Sequence, residues 1–561
     1  MNYQSKSFFD NIKDIITSFN LVEKVLFWIL FVVLLSSFFF VANRWFKVSV
    51  PTFGGSIVEG VIGAPTTINP IIATSNTGQD LTYLTHSGLL KYGSSGLEYD
   101  LAENIEVSED GLIYTITLKD TIIFQDGNNI TSDDVLYTIQ QIQNPNIKSP
   151  KQINWTGVAT EKIDGQTFQL ILPNPLSTFI QNLTVGIIPK HIWQNISDAD
   201  FAFDKHNTYP VGSGQYQIKQ VIKDGEEKIK TIVLEAFDNH SNSKPYLKKI
   251  SFNIYKDQAE LLNAYKTKQV DSFYLNNLIE NTPNITPIKF TTPQIIATFF
   301  KQNEDNIFSK EIREALRESI NKSVISQQLQ NSISIIDNPI PEYFLAHQTI
   351  ITVSDIEEIQ TRLEANGWQK NSEGIYELTK DRITKKFSFN LSTLDTPQYI
   401  AVAEILQRQW QNLGAEVELR TYNSGDLATI ITQRDYDVLL YGITINSVDI
   451  RAYWHSTQRN IGYNLSDYTN IQVDNLINKI RQSVNYDLSF DQYADSLQEI
   501  ANLIQADVPA VFLYSPNLYY YPSAKLQNTI NPHKIINIYE RFNDINNWYI
   551  LTDQVYPLFQ K

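Results

Sequence analysis

LAENIEVSEDGLIYTITLKDTIIFQDGNNITSDDVLYTIQQI, from Leu101 to Ile142, is the stretch that decides the fold. Asp110-Gly111 is a hairpin-turn pair, glycine accepting the positive φ that such a turn demands. Leu112, Tyr114, Ile116 and Leu118 then alternate with Ile113, Thr115 and Thr117, the period of two that sends successive side chains to opposite faces of a strand. Asp126-Gly127 marks a second turn. Thr131 with Asp134 has the form of a capping box, and Val135, Leu136, Ile139 and Ile142 follow at helical spacing. The predicted unit is a hairpin closed by a helix.

The same alternation of strand and helix extends in both directions. SIVEGVIG (Ser56 to Gly63) reads as a strand feeding the turn-rich APTTINP, where Pro65 and Pro70 forbid regular structure. Phe308 to Leu329 reads as one helix capped by Ser309, with Ile312, Ala315, Leu316, Ser319 and Ile320 on one stripe. Pro397 to Leu413 carries Ile405, Leu406, Trp410 and Leu413 at helical spacing, stops at Gly414 and passes into AEVEL (Ala415 to Leu419). Asp435 to Gly442 reads as a buried strand, and Leu497 to Ser515 as a helix, a break at Asp507-Val508-Pro509, and a strand. This is an α/β chain, long enough at 561 residues for about three domains. No 20- to 50-residue repeat is visible, which argues against a solenoid.

The balance of 45 Lys and Arg against 61 Asp and Glu gives a net charge of −16 with no basic stripe, so no nucleic-acid partner is expected. The absence of cysteine removes disulfides, thiolate metal sites, thiol nucleophiles and a lipid-modified cysteine anchor. Near the N-terminus VLFWILFVVLLSSFFFVA (25–42) runs without a charge, about 27 Å as a helix, enough to span a bilayer. Its apolar run is longer than a signal-peptide core and no small-x-small site follows, so an uncleaved anchor is predicted. Trp28 and Trp45 with Lys24, Arg44 and Lys47 mark its borders, but the flanking charges are too balanced to orient it. Residues 1–24 form a cytoplasmic or interfacial segment in which Phe8, Phe9, Ile12, Ile15, Ile16 and Phe19 fit a short amphipathic helix. PTFGGS (Pro51 to Ser56) reads as a flexible exit into the water-soluble body.

The sequence offers little catalytic chemistry. No two of His86, His191, His206, His240, His347, His455 and His533 have metal-pair spacing, and there is no G-x-S-x-G, Walker A or G-x-G-x-x-G motif. Ser241-Asn242-Ser243-Lys244 satisfies S-x-x-K, the nucleophile pattern of penicillin-binding acyl-transferases, but the companion K-T-G is missing. Asp133/Asp134 and Glu357/Glu358 read as helix-start charges rather than acid pairs.

Strings along nearly the whole body resemble the family 5 extracellular solute-binding proteins, which serve peptide (oligopeptide, dipeptide) and nickel ABC importers. They include GAPTTINP, the Leu101–Ile139 text, YPVGSGQYQI (Tyr209 to Ile218), LEAFDNHSNSKPYLKKISFNI, AYKTKQVD, FSKEIREALRESINK, LEANGW, DYDVLLYG, GYNLSDYTNIQVDNLI and VPAVFLY, in register. The resemblance also accounts for Ser241 to Lys244 as part of a turn leading to Tyr246, which makes the S-x-x-K match accidental.

The resemblance implies a two-lobed periplasmic-binding-protein-like fold of type II, in its large three-domain form. Lobe I maps to 51–97, 208–297 and 525–561, the inserted domain to 98–207 and lobe II to 298–524, with Pro210 to Gly214 near a crossing where glycines permit hinge-like changes. It implies a short peptide held by its backbone and its ends, no cofactor, no catalysis, a monomer, and an ABC permease that reads the closed form. The body would be extracytoplasmic on a single-pass anchor. The ligand ammonium is assigned to Asp449; Ile443 stands where the family often has Trp. Tyr441, Asn446, Tyr453 and Trp454 are further pocket positions, as are Asn69 and His86 from the first lobe. Three alternatives stay open: the acyl-transferase, a nickel- or haem-binding member with His455 as the one histidine near the cleft, and a scaffold that has lost its ligand.

Overall fold

The computed structural model describes residues 13–555, apart from 14, 46, 94–95, 241–243, 280–285, 303–306, 346–353, 461, 483–489 and 529–534. The chain divides into two compact units, Gly55–Trp548 and a smaller one of Met1–Gly54 with Tyr549–Lys561. In the smaller unit the apolar run is a helix, Leu21–Trp45, longer than the 25–42 read from the sequence. It is the one helix among the described residues long and apolar enough to cross a membrane. Ile15 and Ile16 are helical; Phe8, Phe9 and Ile12 lie outside the described residues.

The flexible exit expected at Pro51 to Ser56 is corrected. Val48–Thr52 pairs antiparallel with Leu551–Val555, Pro51 opposite Thr552. Leu551–Val555 therefore pairs with Val48–Thr52, and a partner five hundred residues away leaves no local signal.

In the larger unit a 12-stranded mixed sheet carries the body. One half is built on Ser56–Ile62, parallel to Lys249–Tyr255 and to Ser272–Leu275, and continues outward through Ile229–Ala236 and Tyr216–Lys223. The other half places Ser388–Leu394 parallel to Glu416–Tyr422 and to Val438–Thr444, with Gln294–Phe300 antiparallel to the last. Parallel pairs separated by helices are the α/β pattern expected. A single long strand, Ala510–Tyr521, belongs to both halves, pairing with Gln294–Phe300 near its start and with Ser272–Leu275 near its end.

The Leu101–Ile142 stretch folds as read. Ala102–Val107 and Ile113–Leu118 pair antiparallel around Gly111 at φ +71°, and Gly127 turns at φ +90°. Thr131 and Asp134 complete the capping box of the helix Ser132–Gln143, which carries Asp133 and Asp134 in its first turn. Glu357 and Glu358 likewise begin the helix Ile356–Ala365. Tyr114, Ile116, Phe168, Val135, Ile139, Trp155 and Phe179 close a separate apolar core over this region. Phe308 to Leu329 differs from its reading, forming two helices, Lys310–Glu318 and Lys322–Gln328. Asn321 separates them by accepting a hydrogen bond from the Ser323 amide, a side-chain cap that competes with an unbroken helix.

Pro210 to Gly214 is a point of close packing. Neither Gly212 nor Gly214 is left-handed; a Cβ on Gly212 would lie 1.9 Å from the Thr85 carbonyl oxygen, and one on Gly214 2.5 Å from that of Leu84. Gln125 stitches the crossing by donating its side-chain amide to the carbonyls of Thr85, Gly214 and Tyr216. Glycine is required here for close approach.

A fully buried charge cluster ties distant segments of this unit together. Arg541 donates Nη1 and Nη2 to the two carboxylate oxygens of Asp80, both at 2.7 Å, and Nη2 also to Glu59 at 3.2 Å. Ser272 and Tyr520 donate to the other Glu59 oxygen, and the guanidinium lies 4.0 Å from the Phe542 ring centroid. Burial pushes both carboxyls above their ordinary range, against the pull of Arg541. Arg541→Met is expected to destabilise the protein by about 3–5 kcal/mol in urea unfolding, because it strands two buried carboxylates. The deficit should shrink as pH is lowered and the carboxyls protonate, a dependence that a simple packing defect would not show.

Candidate functional site

A cavity of about 1260 Å³ opens in the larger unit, lined from four directions. The helix Asn76–Thr85 supplies Gln79, Thr82 and Tyr83; Ser75 caps it through the Gly78 amide, and Asp80 on the same helix holds Arg541. The chain then passes His86, Ser87 and Gly88 along the wall, where a Cβ on Gly88 would meet the Thr184 carbonyl oxygen at 2.7 Å. The region after the capping-box helix contributes Lys151, Asn154, Trp155 and Phe179. From the other half of the sheet come Asn446, Asp449, Arg451, Tyr453 and Arg481, and the C-terminal segment adds Asn537 and Tyr539.

Two of these walls touch. Ser177, buried at the start of the 3-10 segment Ser177–Thr184, donates to the Ile480 carbonyl at 2.6 Å, satisfying the C-terminal end of the helix Ile471–Arg481. Asn182 of the same segment donates to the Asn154 carbonyl at 3.4 Å. One short segment thus connects the turn bearing Lys151 with the helix end bearing Arg481.

Of the residues proposed from the sequence, His86, Asn446, Asp449 and Tyr453 line the cavity, whereas Asn69, Tyr441 and Trp454 lie outside its lining. Asp449 does not stand alone: its carboxylate accepts from the Arg451 amide at 3.1 Å and from Arg481 Nε at 3.0 Å. A carboxylate has about four acceptor positions, so lone pairs remain for a further donor. Tyr453 donates its hydroxyl to the Thr444 carbonyl at 2.6 Å, presenting its ring rather than its proton.

Trp454 is buried among Phe299, Tyr468 and Phe512, a core residue whose indole N–H has no partner among the described residues. Tyr441 packs against the same core from its strand, and Ile443 is buried within it. Asn69 is 1% exposed and spent on architecture, donating to Asn207 and accepting from the Ile71 amide. Alternation along a strand or short helix sends neighbours to opposite sides, which a reading by proximity to Asp449 does not resolve.

Arg481 and Lys151 were missed by the sequence reading. Arg481 sits 32 residues beyond Asp449 at a helix end, and nothing in the local text of Lys151 distinguishes it from a surface lysine. Arg451, two residues after Asp449, was within reach of the reading.

Among the described residues no group of three or more His, Asp or Glu side chains could hold a metal ion. His455 is buried, its Nδ1 accepting from the Thr457 amide. Ser241 lies outside the described residues; Lys244 pairs with Asp238 at 3.0 Å.

Burial holds the His86 imidazole down at about 4, so it is neutral at pH 7, with Nδ1 2.9 Å from the Thr85 hydroxyl. A native pKa below the unfolded value of 6.5 means that its contribution to stability is complete above about pH 6.5 and is lost as pH falls through about 4. Urea unfolding between pH 7 and 4 should show a loss on the order of 3 kcal/mol from this residue, and His86→Gln should flatten the slope by that amount.

The model of the bacterial extracellular solute-binding proteins, family 5 middle, matches residues 96–464. The oligopeptide-binding protein AppA of Bacillus subtilis is 27% identical over 490 residues, spanning 83% of this chain and 87% of its own length. The structure of that protein in complex with a nonapeptide aligns with a TM-score of 0.64 at 24% identity, over 90% of this chain and all of the other. NikZ from Campylobacter jejuni in complex with Ni(L-His) aligns with a TM-score of 0.64 at 20% identity, over 88% of this chain and 99% of the other.

Proposed function

Because the chain belongs to family 5 of the bacterial extracellular solute-binding proteins, we propose that it captures short peptides between the two halves of its sheet and delivers them to the permease of an ABC importer. The cavity is the observation that carries this reading. Small-molecule pockets run from about 300 to 1,000 Å³, and 1260 Å³ lined from both halves exceeds what one amino acid or a metal complex needs. AppA of Bacillus subtilis, named as an oligopeptide-binding protein, supports the same choice.

In this reading the domains keep the borders 98–207 for the insert and 298–524 for the second lobe, and the helix Leu21–Trp45 tethers a monomeric, extracytoplasmic body to the membrane. The peptide ammonium meets the acceptor positions of Asp449 left open by Arg481, where a charge-assisted hydrogen bond in a closed cleft is strong. Asn446, Tyr453 and His86 shape the surrounding wall, the last as a neutral hydrogen-bonding group. The ligand leaves chemically unchanged, so no acyl-transfer chemistry is assigned to Ser241 and Lys244. A nickel or haem role has less support, since no metal-binding group occurs among the described residues.

Native mass spectrometry of the body from residue 48 onward, with a mixed library of short peptides, tests the reading. Retained peptides and a thermal upshift are expected; neither appearing would leave a scaffold without a ligand. In calorimetry Asp449→Ala should weaken peptide binding about 100-fold, the scale of truncating one partner of a desolvated charge pair, with little change in unfolding midpoint. Unchanged affinity would remove Asp449 from the site.

A further inference from the structure

The chain as a whole is acidic, with a net charge of −16, yet its cavity is not. Four lining side chains are cationic, Lys91, Lys151, Arg451 and Arg481, against two carboxylates, Asp100 and Asp449. The lining histidines His86 and His240 are both pushed by burial toward the neutral form and add no charge at pH 7. Lys91 is paired with Glu98 at 3.6 Å, and Arg481 with Asp449 at 3.0 Å. That leaves Lys151 and Arg451. Among the described residues, Arg451 has a buried Nε without a hydrogen-bond partner, and its Nη2 donates to the Thr457 hydroxyl at 3.5 Å.

Lys151 stands out most clearly. It is partly buried, and among the described residues its ammonium has neither a carboxylate nor a carbonyl partner. Burial alone acts on its proton affinity, lowering it, with no neighbouring charge to restore it. A cation held this way costs stability unless something pairs with it. Asn154, one turn on, and Trp155 and Phe179, whose rings meet edge to face at 5.2 Å, fix the wall around it.

We propose that Lys151 is a carboxylate anchor on the insert-side wall of the cavity, with Arg451 of the same lining adding to the positive field, so that the receptor selects anionic peptides over neutral and cationic ones. This rests on the peptide-binding reading and names the chemical class of the ligand. The anchored carboxylate is that of an acidic side chain, which only some peptides carry. The peptide terminus presents the same planar anion on every peptide and would give no such selection, and the test separates the two.

Isothermal titration with four peptides of one backbone, carrying Glu or Gln at a central position and ending in a free acid or an amide, reads the preference directly. For the wild-type body the Glu members should bind at least about tenfold more tightly than their Gln counterparts, the step expected of one charge-assisted hydrogen bond. Lys151→Met should reduce that ratio to about twofold or less, chiefly by weakening the Glu members. Lys151→Arg should keep most of it. The member of the series whose advantage disappears identifies which carboxylate is held. With no ligand present, Lys151→Met should unfold at the same or a higher temperature, since it removes a partly buried charge that has no partner among the described residues. A lower midpoint would show Lys151 to be structural and would overturn the proposal, as would equal affinity across the four peptides or a preference untouched in Lys151→Met. Binding of none of the peptides would instead bring down the peptide reading itself, and the anchor with it.

Discussion

Arg541, without exposure to water, is held by Asp80 and Glu59, so that a C-terminal segment is tied to a helix and a central strand more than four hundred residues before it. The guanidinium fork matches the Asp80 carboxylate in both nitrogen positions, a geometry a lysine could not supply. Because Asp80 shares its helix with Gln79, Thr82 and Tyr83, fixing that carboxylate also fixes one wall of the cavity. Tyr520, donating to Glu59 from the strand common to both halves of the sheet, extends the same constraint into the middle of the molecule. The cluster holds two acids and one base, so its stability depends on hydrogen bonds from Ser272 and Tyr520 to share the excess negative charge.

The local grammar of the fold was plain in the sequence. The Leu101–Ile142 hairpin and helix, the helix Pro397–Leu413 with its left-handed Gly414 and the strands around Val438–Thr444 each carry their period and their stop signals in neighbouring residues. What stayed hidden depends on contacts across the chain. The pairing of Val48–Thr52 with Leu551–Val555, the bidentate grip on Arg541 and the meeting of Arg481 with Asp449 have no local signature. The split at Asn321 was available in principle, as an asparagine between two apolar stripes, but a continuous helical period outweighed it.

The site shows the same division. Asp449, His86, Asn446 and Tyr453 reach the cavity, while Trp454, one residue beyond Tyr453, turns into the core, and Asn69 is consumed in bracing its own loop. Resemblance locates the segment; the direction of each side chain follows from backbone periodicity and burial. Of the two lining cations left without a carboxylate, Arg451 lies two residues beyond Asp449, whereas Lys151 lies outside the segment that resemblance emphasised. A protein whose surface repels anions can still receive one where its interior has the opposite sign, because low-dielectric walls preserve the local field against the distant excess.

The strand Ala510–Tyr521 is unbroken through both halves of the sheet, yet it contains Pro516, which has no amide proton to give to a neighbour. At that point the ladder relies on the Pro516 carbonyl, which accepts from the Thr292 amide and hydroxyl. A continuous backbone cannot lengthen, so the two halves have no means of drawing straight apart. Proline also fixes its own φ, and Ile333 and Ser334 face Pro516 and Ser515 across the ladder, so a change in the gap between the walls is spread as twist along the strand instead of being concentrated at one residue.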